Sequence, residues 1–430
     1  MLALKPNSTN FPITDFIDFK DKMLNMANKF SIFCFLDHNG YKHEPPAFEC
    51  MLALGAKRSI LLQAGNAFAQ LKSFYDQNPG WLFGHLGYDL KNEVEAVHTK
   101  KTACIDFGIG FFFEPEIIIR LTSSAVEIIA DTNAAEIFNS ILSEQIKQEP
   151  LIPKKINLLP AFSNNAYLEI IQQIRQHIRR GDCYEINFCQ QFHAKDAQIN
   201  PLNTFKKLNR LSPNPFAAYY RINDKYCLCA SPERYLKKEG HKLISQPIKG
   251  TAKRDLQNPA QDAANKQALL NSAKERSENV MIVDLVRNDL SRVCTQGSVQ
   301  VNELFGIYAF PQVFQMISTI TGTLSENTHW TDCIKQTFPM GSMTGAPKKR
   351  VMELIDEFET EGRGLFSGSI GYVTPGGDFD FNVIIRSIFY DETTQKLSYA
   401  AGSGITFYSN AEDEYEECLL KAVAMKEVLG

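Results

Sequence analysis

The chain has 430 residues, 44% of them hydrophobic and 22% charged, and its 45 Lys and Arg against 49 Asp and Glu leave a formal net charge of -4. That length can bury a large core, as one big α/β unit or as two smaller ones, while the charge balance offers no basic footprint for nucleic acid. No apolar run approaches the ~20 residues that span a bilayer, and residues 1–16 lack the apolar core and small-residue cleavage site of a secretory signal, so neither a membrane nor a nucleic-acid partner is expected.

Residues 1–155 carry short apolar runs, 30–36 and 107–113 among them, separated by polar, Gly- or Pro-containing stretches. A helix is expected to end near Ile146, and 148–155 (QEPLIPKK) reads as a linker. The boundary placed there divides the chain into an N-terminal subdomain, 1–155, and a second unit, 156–430. The ten cysteines are scattered with no Cys-x-x-Cys, Cys227 and Cys229 being the nearest pair, which suits reduced thiols in the cytoplasm. Of eight histidines only His329 lies beyond position 241, and there is no HExxH or zinc-type spacing.

A helix is predicted over 164–180, with Tyr167, Ile170, Ile171 and Ile174 on one face and Gly181-Asp182 ending it. Strands follow over 184–192 and 213–222, then a hairpin of 226–237 with 241–248 around Glu239-Gly240. Lys249 comes next, in Gln246-Pro247-Ile248-Lys249-Gly250-Thr251. It is placed before a Gly-Thr turn, where backbone can approach a ligand closely. Its ammonium can bind an anion; if it is desolvated or set beside other cations its pKa falls, and the neutral amine can act as a nucleophile. A solvated lysine at a strand end is the ordinary reading of those six residues alone. Glu233, expected on the strand before, could serve beside it as general acid or base, with Arg234 as a structural alternative partner.

Pro259 opens a helical region predicted to run through 286, and residues 347–359 form another helix after the Gly-rich 341–346. Paired strands are predicted over 366–373 and 380–390, another strand over 397–401, and a closing helix over 410–429, with Asn410 as its cap. Mixed strands and helices over the second unit point to a large α+β domain.

Two helices repeat one device. Glu275 and Glu278 stand three apart before the apolar run 280–286, and Glu414, Glu417 and Lys421 share a face of the closing helix. A solvated surface is the ordinary outcome of such patterns. If the helices face each other, however, four carboxylates converge and need a cation between them. All-oxygen ligands select a hard ion, and Mg²⁺ typically uses one or two carboxylates and keeps open positions.

Ala401-Gly402-Ser403-Gly404 is expected as a strand-exit turn whose backbone N–H groups could hold an anion. Gly341-Ser342-Met343-Thr344-Gly345 could present donors at a helix N-terminus, though neither stretch has Walker spacing. Arg386, expected inside an apolar strand, needs a carboxylate partner, from protein or from substrate.

Taken in order, SPER, QPIKGT, KERSENVMIVDLVRNDLSRV, GSMTGAPKKR, RGLFSGSIGY, AGSGIT and EYEECLLK resemble the chorismate-utilising enzymes, the anthranilate synthase component I-like family. The resemblance covers about 155–430; residues 1–155 match it only as a loose subdomain. It implies a large two-subdomain β-sandwich with helices outside and a cleft that binds chorismate. It implies Mg²⁺ on Glu278 and Glu417, with Glu275 and Glu414 acting through water. The implied substrate contacts are Thr251, Thr344, Arg386, Gly402, Ser403, Gly404 and Lys421. Glu233 becomes the acid for the departing C4 hydroxyl.

Within the family, anthranilate and isochorismate synthases resemble PIAGT or PLAGT where this chain has QPIKGT; the aminodeoxychorismate synthases carry the lysine. The implied chemistry is attack of Lys249 on C2, loss of the C4 hydroxyl, then displacement by ammonia at C4. No glutaminase region is read in the sequence, so a separate glutamine amidotransferase is expected to supply the ammonia.

Three positions depart from the pattern. Glu185 stands where amine-using members have Gln and water-using members Lys, and is expected to hold ammonia or ammonium. Gln315 replaces a histidine, and Phe366 replaces a tyrosine of the salicylate synthases. The alternatives are another chorismate-converting member such as anthranilate synthase, and a non-catalytic chorismate-binding subunit.

Overall fold

The protein is described by a computed structural model over residues 7–41, 48–95, 97, 101–146 and 156–430. The linker read at 148–155 lies outside the described residues. The alternating apolar segments build two antiparallel sheets of twelve and ten strands. The larger runs from Asn7–Pro12 through Ile32–Asp37, Phe216–Ile222, Lys225–Ser231, Ser387–Asp391, Lys396–Thr406 and Glu185–Ala194 to Gly345–Ala346. The smaller includes Leu82–Leu86, Ser369–Val373, Phe379–Asn382, Arg234–Glu239, Lys242–Gln246, Val313–Thr323 and Ile248–Lys253. Segments from both sides of the linker share each sheet, since Ile32–Asp37 pairs with Phe216–Ile222 and Leu82–Leu86 with Ser369–Val373.

One core fills the space between the sheets, with Phe83, Phe112, Tyr220, Leu236 and Phe381. A second lies under the helices that cover the outer face of the larger sheet, with Phe19, Tyr167, Ile171, Phe205 and Met425. This is the α+β sandwich with outer helices that the sequence predicts. The covering helices start where their caps dictate. Ser163 accepts from Ala166 N and starts Asn164–Arg179, which buries Tyr167, Ile171, Ile174 and Ile178. Asn410 accepts from the N–H groups of Glu412 and Asp413 and starts Ala411–Leu429.

Several elements differ from expectation, each for a local reason. The helical region 259–286 is two helices, Pro259–Asn271 and Ala273–Ser291, because Ser272 leaves the helical conformation and caps the second by accepting from Glu275 N. The hairpin of Arg234–Glu239 and Lys242–Gln246 forms as predicted. Its first strand, expected over 226–237, is cut at Pro232, which has no N–H for a ladder. Lys225–Ser231 therefore stays in the larger sheet and Arg234–Glu239 enters the smaller. The strand expected over 380–390 divides in the same way, into Phe379–Asn382 and Ser387–Asp391, at Arg386, whose φ is +52°. Glu233 and Arg386 thus lie not on strands but on two crossovers between the sheets. The crossovers run side by side: Val383 N donates to Glu233 O at 3.0 Å and Ala230 N to Arg386 O at 3.2 Å.

Residues 401–404 are likewise not a turn. They lie inside the strand Lys396–Thr406, with Gly402 opposite Cys189 and Gly404 opposite Asn187. A Cβ on Gly402 would sit 2.0 Å from Phe188 O, so the close strand contact requires glycine there.

Beneath the cleft a buried arginine ties these layers together. Arg363 Nε and Nη2 donate to the Glu359 carboxylate at 2.9 and 2.6 Å, Nη1 to Met343 O at 2.7 Å and Nη2 to Asn187 O at 2.8 Å. Removing one partner of a buried pair leaves an uncompensated charge. Arg363→Met is therefore expected to destabilise the fold by about 3–5 kcal/mol, read as a shift in denaturant midpoint.

Candidate active site

A cleft of about 110 Å³ opens where the two crossovers, the strand Ile248–Lys253 and the helices Ala273–Ser291 and Ala411–Leu429 meet. Lys249 reaches it through a bulge. The pairing of Ile248–Lys253 with Val313–Thr323 shifts register between Ile248 and Thr251, and Gly250 has φ +93°. The expected Gly-Thr turn is therefore an irregularity within a strand, of the kind that re-aims a side chain.

The Lys249 side chain is buried, and its Nζ donates to Glu185 Oε1. Burial disfavours its charged form, but the carboxylates of Glu185 and Glu278 outweigh burial and hold its pKa above the ordinary lysine value. The backbone of Gly404 passes against this group. A Cβ there would lie 2.8 Å from Glu185 Oε1, 2.9 Å from Lys249 Nζ and 3.4 Å from Glu278 Oε2.

Glu233 faces the same cleft, and burial pushes its carboxyl up to about 7, against the opposing pull of the Ser342 hydroxyl and of Lys249. Arg386 lies across from it; burial lowers its guanidinium to about 10 while the Glu233 charge raises it. At neutral pH the arginine remains a cation, and the acid stands near its titration midpoint.

The two helices do face each other, and Lys274 stands between their carboxylates. Its Nζ is 3.0 Å from Glu414 Oε1 and 3.9 Å from both Glu278 Oε1 and Glu417 Oε2. Lys421 Nζ lies 2.8 Å from Glu417 Oε1 and 3.0 Å from Gly402 O. Burial pushes Glu278 up to about 8 against the pull of Lys249, whereas at Glu417 the upward push of burial is outweighed by Lys421 together with Lys274 and Lys249, which hold it below its ordinary value. Among the described residues no group of three or more His, Cys, Asp or Glu is arranged as a metal site. The donor chemistry nevertheless fits a cation that needs only two protein carboxylates. The set is all oxygen, Lys274 already places one positive charge within it, and the buried Glu278 Oε1 and Glu414 Oε2 have no hydrogen-bond partner.

Of the residues singled out from sequence, Glu233, Lys249, Thr251, Glu275, Glu278, Arg386, Gly402, Gly404, Glu417 and Lys421 line the cleft together. Four stand behind it. Glu185 is engaged by Lys249 and Glu414 by Lys274. Ser403 alternates to the face opposite Gly402 and Gly404. Thr344 donates its hydroxyl to Met340 O at 3.2 Å, so it is committed to its own loop. Lys274 was not singled out for the site, although its i,i+4 spacing to Glu278 was a visible signal. Gln315 lines the cleft, fully buried, with neither amide atom partnered. A group left so is costly unless a ligand meets it. Ser342 and Met343, from the Gly-rich 341–346, also line the wall, as does Asn187, which carried no signal beyond its neighbourhood to the motifs.

The profile of the chorismate binding enzymes matches residues 37–427. The chain is 37% identical over 345 residues to aminodeoxychorismate synthase component 1 of Salmonella typhimurium, covering 79% of this chain and 74% of that protein. It is 35% identical over 343 residues to the Escherichia coli protein of the same name, with the same coverages. An anthranilate synthase component I-like protein of Synechocystis is 35% identical over 352 residues, 80% of this chain and 72% of that protein. Among solved structures, anthranilate synthase component I from Streptococcus pneumoniae superposes with TM-score 0.77 at 25% identity, over 90% of this chain and 93% of that one. The menaquinone-specific isochorismate synthase of Escherichia coli shares the fold, with TM-score 0.74 at 17% identity over 99% of this chain and 95% of that one.

Proposed function

The chain belongs to the chorismate binding enzyme family, and on that premise we propose that it is the chorismate-aminating component of an aminodeoxychorismate synthase. It converts chorismate and ammonia to 4-amino-4-deoxychorismate and water. The observation that carries this reading is Lys249, a buried primary amine lining the cleft, backed by relatives of that name at 35–37% identity.

The substrate is a dicarboxylate, and Arg386, from its crossover, and Lys421, from the helix Ala411–Leu429, offer its carboxylates cationic partners in the cleft. Lys249 rests protonated against Glu185, so its proton moves to Glu185 Oε1 as the substrate enters and water leaves. The neutral amine then attacks C2, the ring double bond shifts, and the C4 hydroxyl departs with a proton from Glu233 as water. Ammonia adds at C4, the double bond returns, and the C2–N bond breaks to restore the lysine. Glu185 thus acts as proton acceptor for Lys249. Glu278 and Glu417, with Glu275 and Glu414 beside them, would hold Mg²⁺. When bound, the ion neutralises substrate carboxylate charge and orients the ring. A glutamine amidotransferase is the proposed partner and ammonia source, in keeping with the component 1 naming of the relatives. All ten cysteines are free, which suits the reducing cytoplasm, and among the described residues no helix is long and apolar enough to cross a membrane.

The test is the mass of the product formed from chorismate and ammonium, with and without Mg²⁺. Aminodeoxychorismate formed only with Mg²⁺ is the expected outcome. Fluorescent anthranilate, with loss of pyruvate, would instead assign the chain to the anthranilate-forming branch.

A further inference from the structure

The carboxylates that would hold Mg²⁺ already have a cation among them. Lys274 Nζ stands 3.0 Å from Glu414 Oε1 and 3.9 Å from both Glu278 Oε1 and Glu417 Oε2. Only the first is a hydrogen bond; the other two are attractions across a gap. Glu278 Oε1 and Glu414 Oε2 are buried with no hydrogen-bond partner, so one ammonium does not satisfy the set. Among the described residues the ion pairs of Lys274 are all with these carboxylates, and its side chain is 35% exposed, with solvent at its back. Lys421 differs, because a backbone carbonyl, Gly402 O at 3.0 Å, anchors it as well as Glu417.

An ion that takes oxygens of Glu278 and Glu417 as ligands must approach them to about 2.1 Å. The ammonium of Lys274 already lies within 3.9 Å of both. Two cations so close among the same oxygens repel each other, and the one with a path to solvent is the one to leave. Lys274 cannot go far. It sits on the helix Ala273–Ser291, four residues before Glu278, and so competes as a tethered ligand.

We propose that Lys274 is a built-in counter-ion that Mg²⁺ displaces: the ion enters by exchange, and the ammonium swings from the carboxylates into solvent. The proposal rests on the metal-binding part of the reading above and adds how the site is guarded. Replacing one positive charge by two leaves a surplus of one among the carboxylates, which a substrate carboxylate then meets. Mg²⁺ and chorismate should therefore strengthen each other's binding.

The test is Mg²⁺ binding to chelator-treated full-length chain, measured by titration calorimetry without chorismate. Lys274→Gln is expected to bind Mg²⁺ about tenfold more tightly or better, because the competent state no longer has to be reached by expelling an ammonium. Lys274→Arg, which keeps a cation, should not bind more tightly. A second measurement needs no variant. The wild-type chain is pulsed with acetic anhydride, and Mg²⁺ should raise acetylation of Lys274 several-fold relative to the exposed Lys426, read by peptide mass. Unchanged or weaker Mg²⁺ binding by Lys274→Gln overturns the exchange, as does unchanged or reduced acetylation of Lys274. Absence of Mg²⁺ binding in wild type and variant alike overturns it together with the metal reading. Failure of the amination reading is separate, since it appears as a product other than aminodeoxychorismate.

Discussion

Lys249→Ala is expected to lower kcat/KM for chorismate amination by at least about three orders of magnitude, about 4 kcal/mol of transition-state stabilisation. The loss has two sources. The amine that attacks C2 is gone, so ammonia would have to displace the C4 hydroxyl without a covalent intermediate. The charge arrangement changes as well, because Lys249 is the cation against which Glu185 rests and one of the charges that hold down the carboxyl of Glu278. Removing it alone leaves two buried acids with one neighbour fewer, which on its own can destabilise the site. The double variant Lys249→Ala/Glu185→Gln separates the two effects: it restores charge balance without restoring an amine. If covalent attack carries the reaction, the double variant is as inactive as the single one and no substrate-mass adduct appears on the protein. Recovery of amination in the double variant would show that Lys249 serves only as a counter-ion. Lys249→Arg is a second control, since it keeps a cation against Glu185 but has no amine of suitable basicity.

What the sequence made legible follows from the range of the forces involved. Elements governed by local signals matched closely: the helix 164–180 has a serine cap and a clean apolar stripe, and the closing helix has Asn410. The carboxylate helices were legible too, because i,i+3 spacing fixes a shared face wherever the helix packs. What the pattern could not convey was the change of sheet at Pro232 and at Arg386. Both stretches stay largely buried through the break, with only Ile385 and Arg386 partly exposed, so hydrophobic periodicity does not register the crossover. Yet those two breaks bring Glu233 and Arg386 into one cleft. Ala401-Gly402-Ser403-Gly404 misled for the opposite reason. Glycines that suggest a turn were there to admit a neighbouring strand and the Lys249–Glu185 pair, which is a tertiary demand. Lys274 illustrates the last limit: its pairing with Glu414 joins residues 140 positions apart.

Glu233→Gln is expected to slow amination by about 10²–10⁴-fold while leaving chorismate binding nearly intact. Glutamine keeps the size and the hydrogen-bonding oxygen but has no proton to give the departing hydroxyl. The pH dependence distinguishes loss of this proton from loss of shape. Burial raises the Glu233 carboxyl to about 7, so the protonated form that the step needs predominates below that pH and declines above it. With the concentration of neutral ammonia held constant, which removes the opposing rise in free base, the wild-type rate should fall as pH increases through about 7. Glu233→Gln should lack that descending limb and show a flat, low profile over the same range. A variant that retained the limb would place the titrating acid elsewhere, and one that lost chorismate affinity in proportion to rate would make Glu233 a binding group. Arg386 sharpens the contrast. Its charge opposes protonation of Glu233, yet burial prevails over it, as expected for an acid kept neutral in order to donate. Replacing Arg386 should therefore move the limb to higher pH, and replacing Glu233 should erase it.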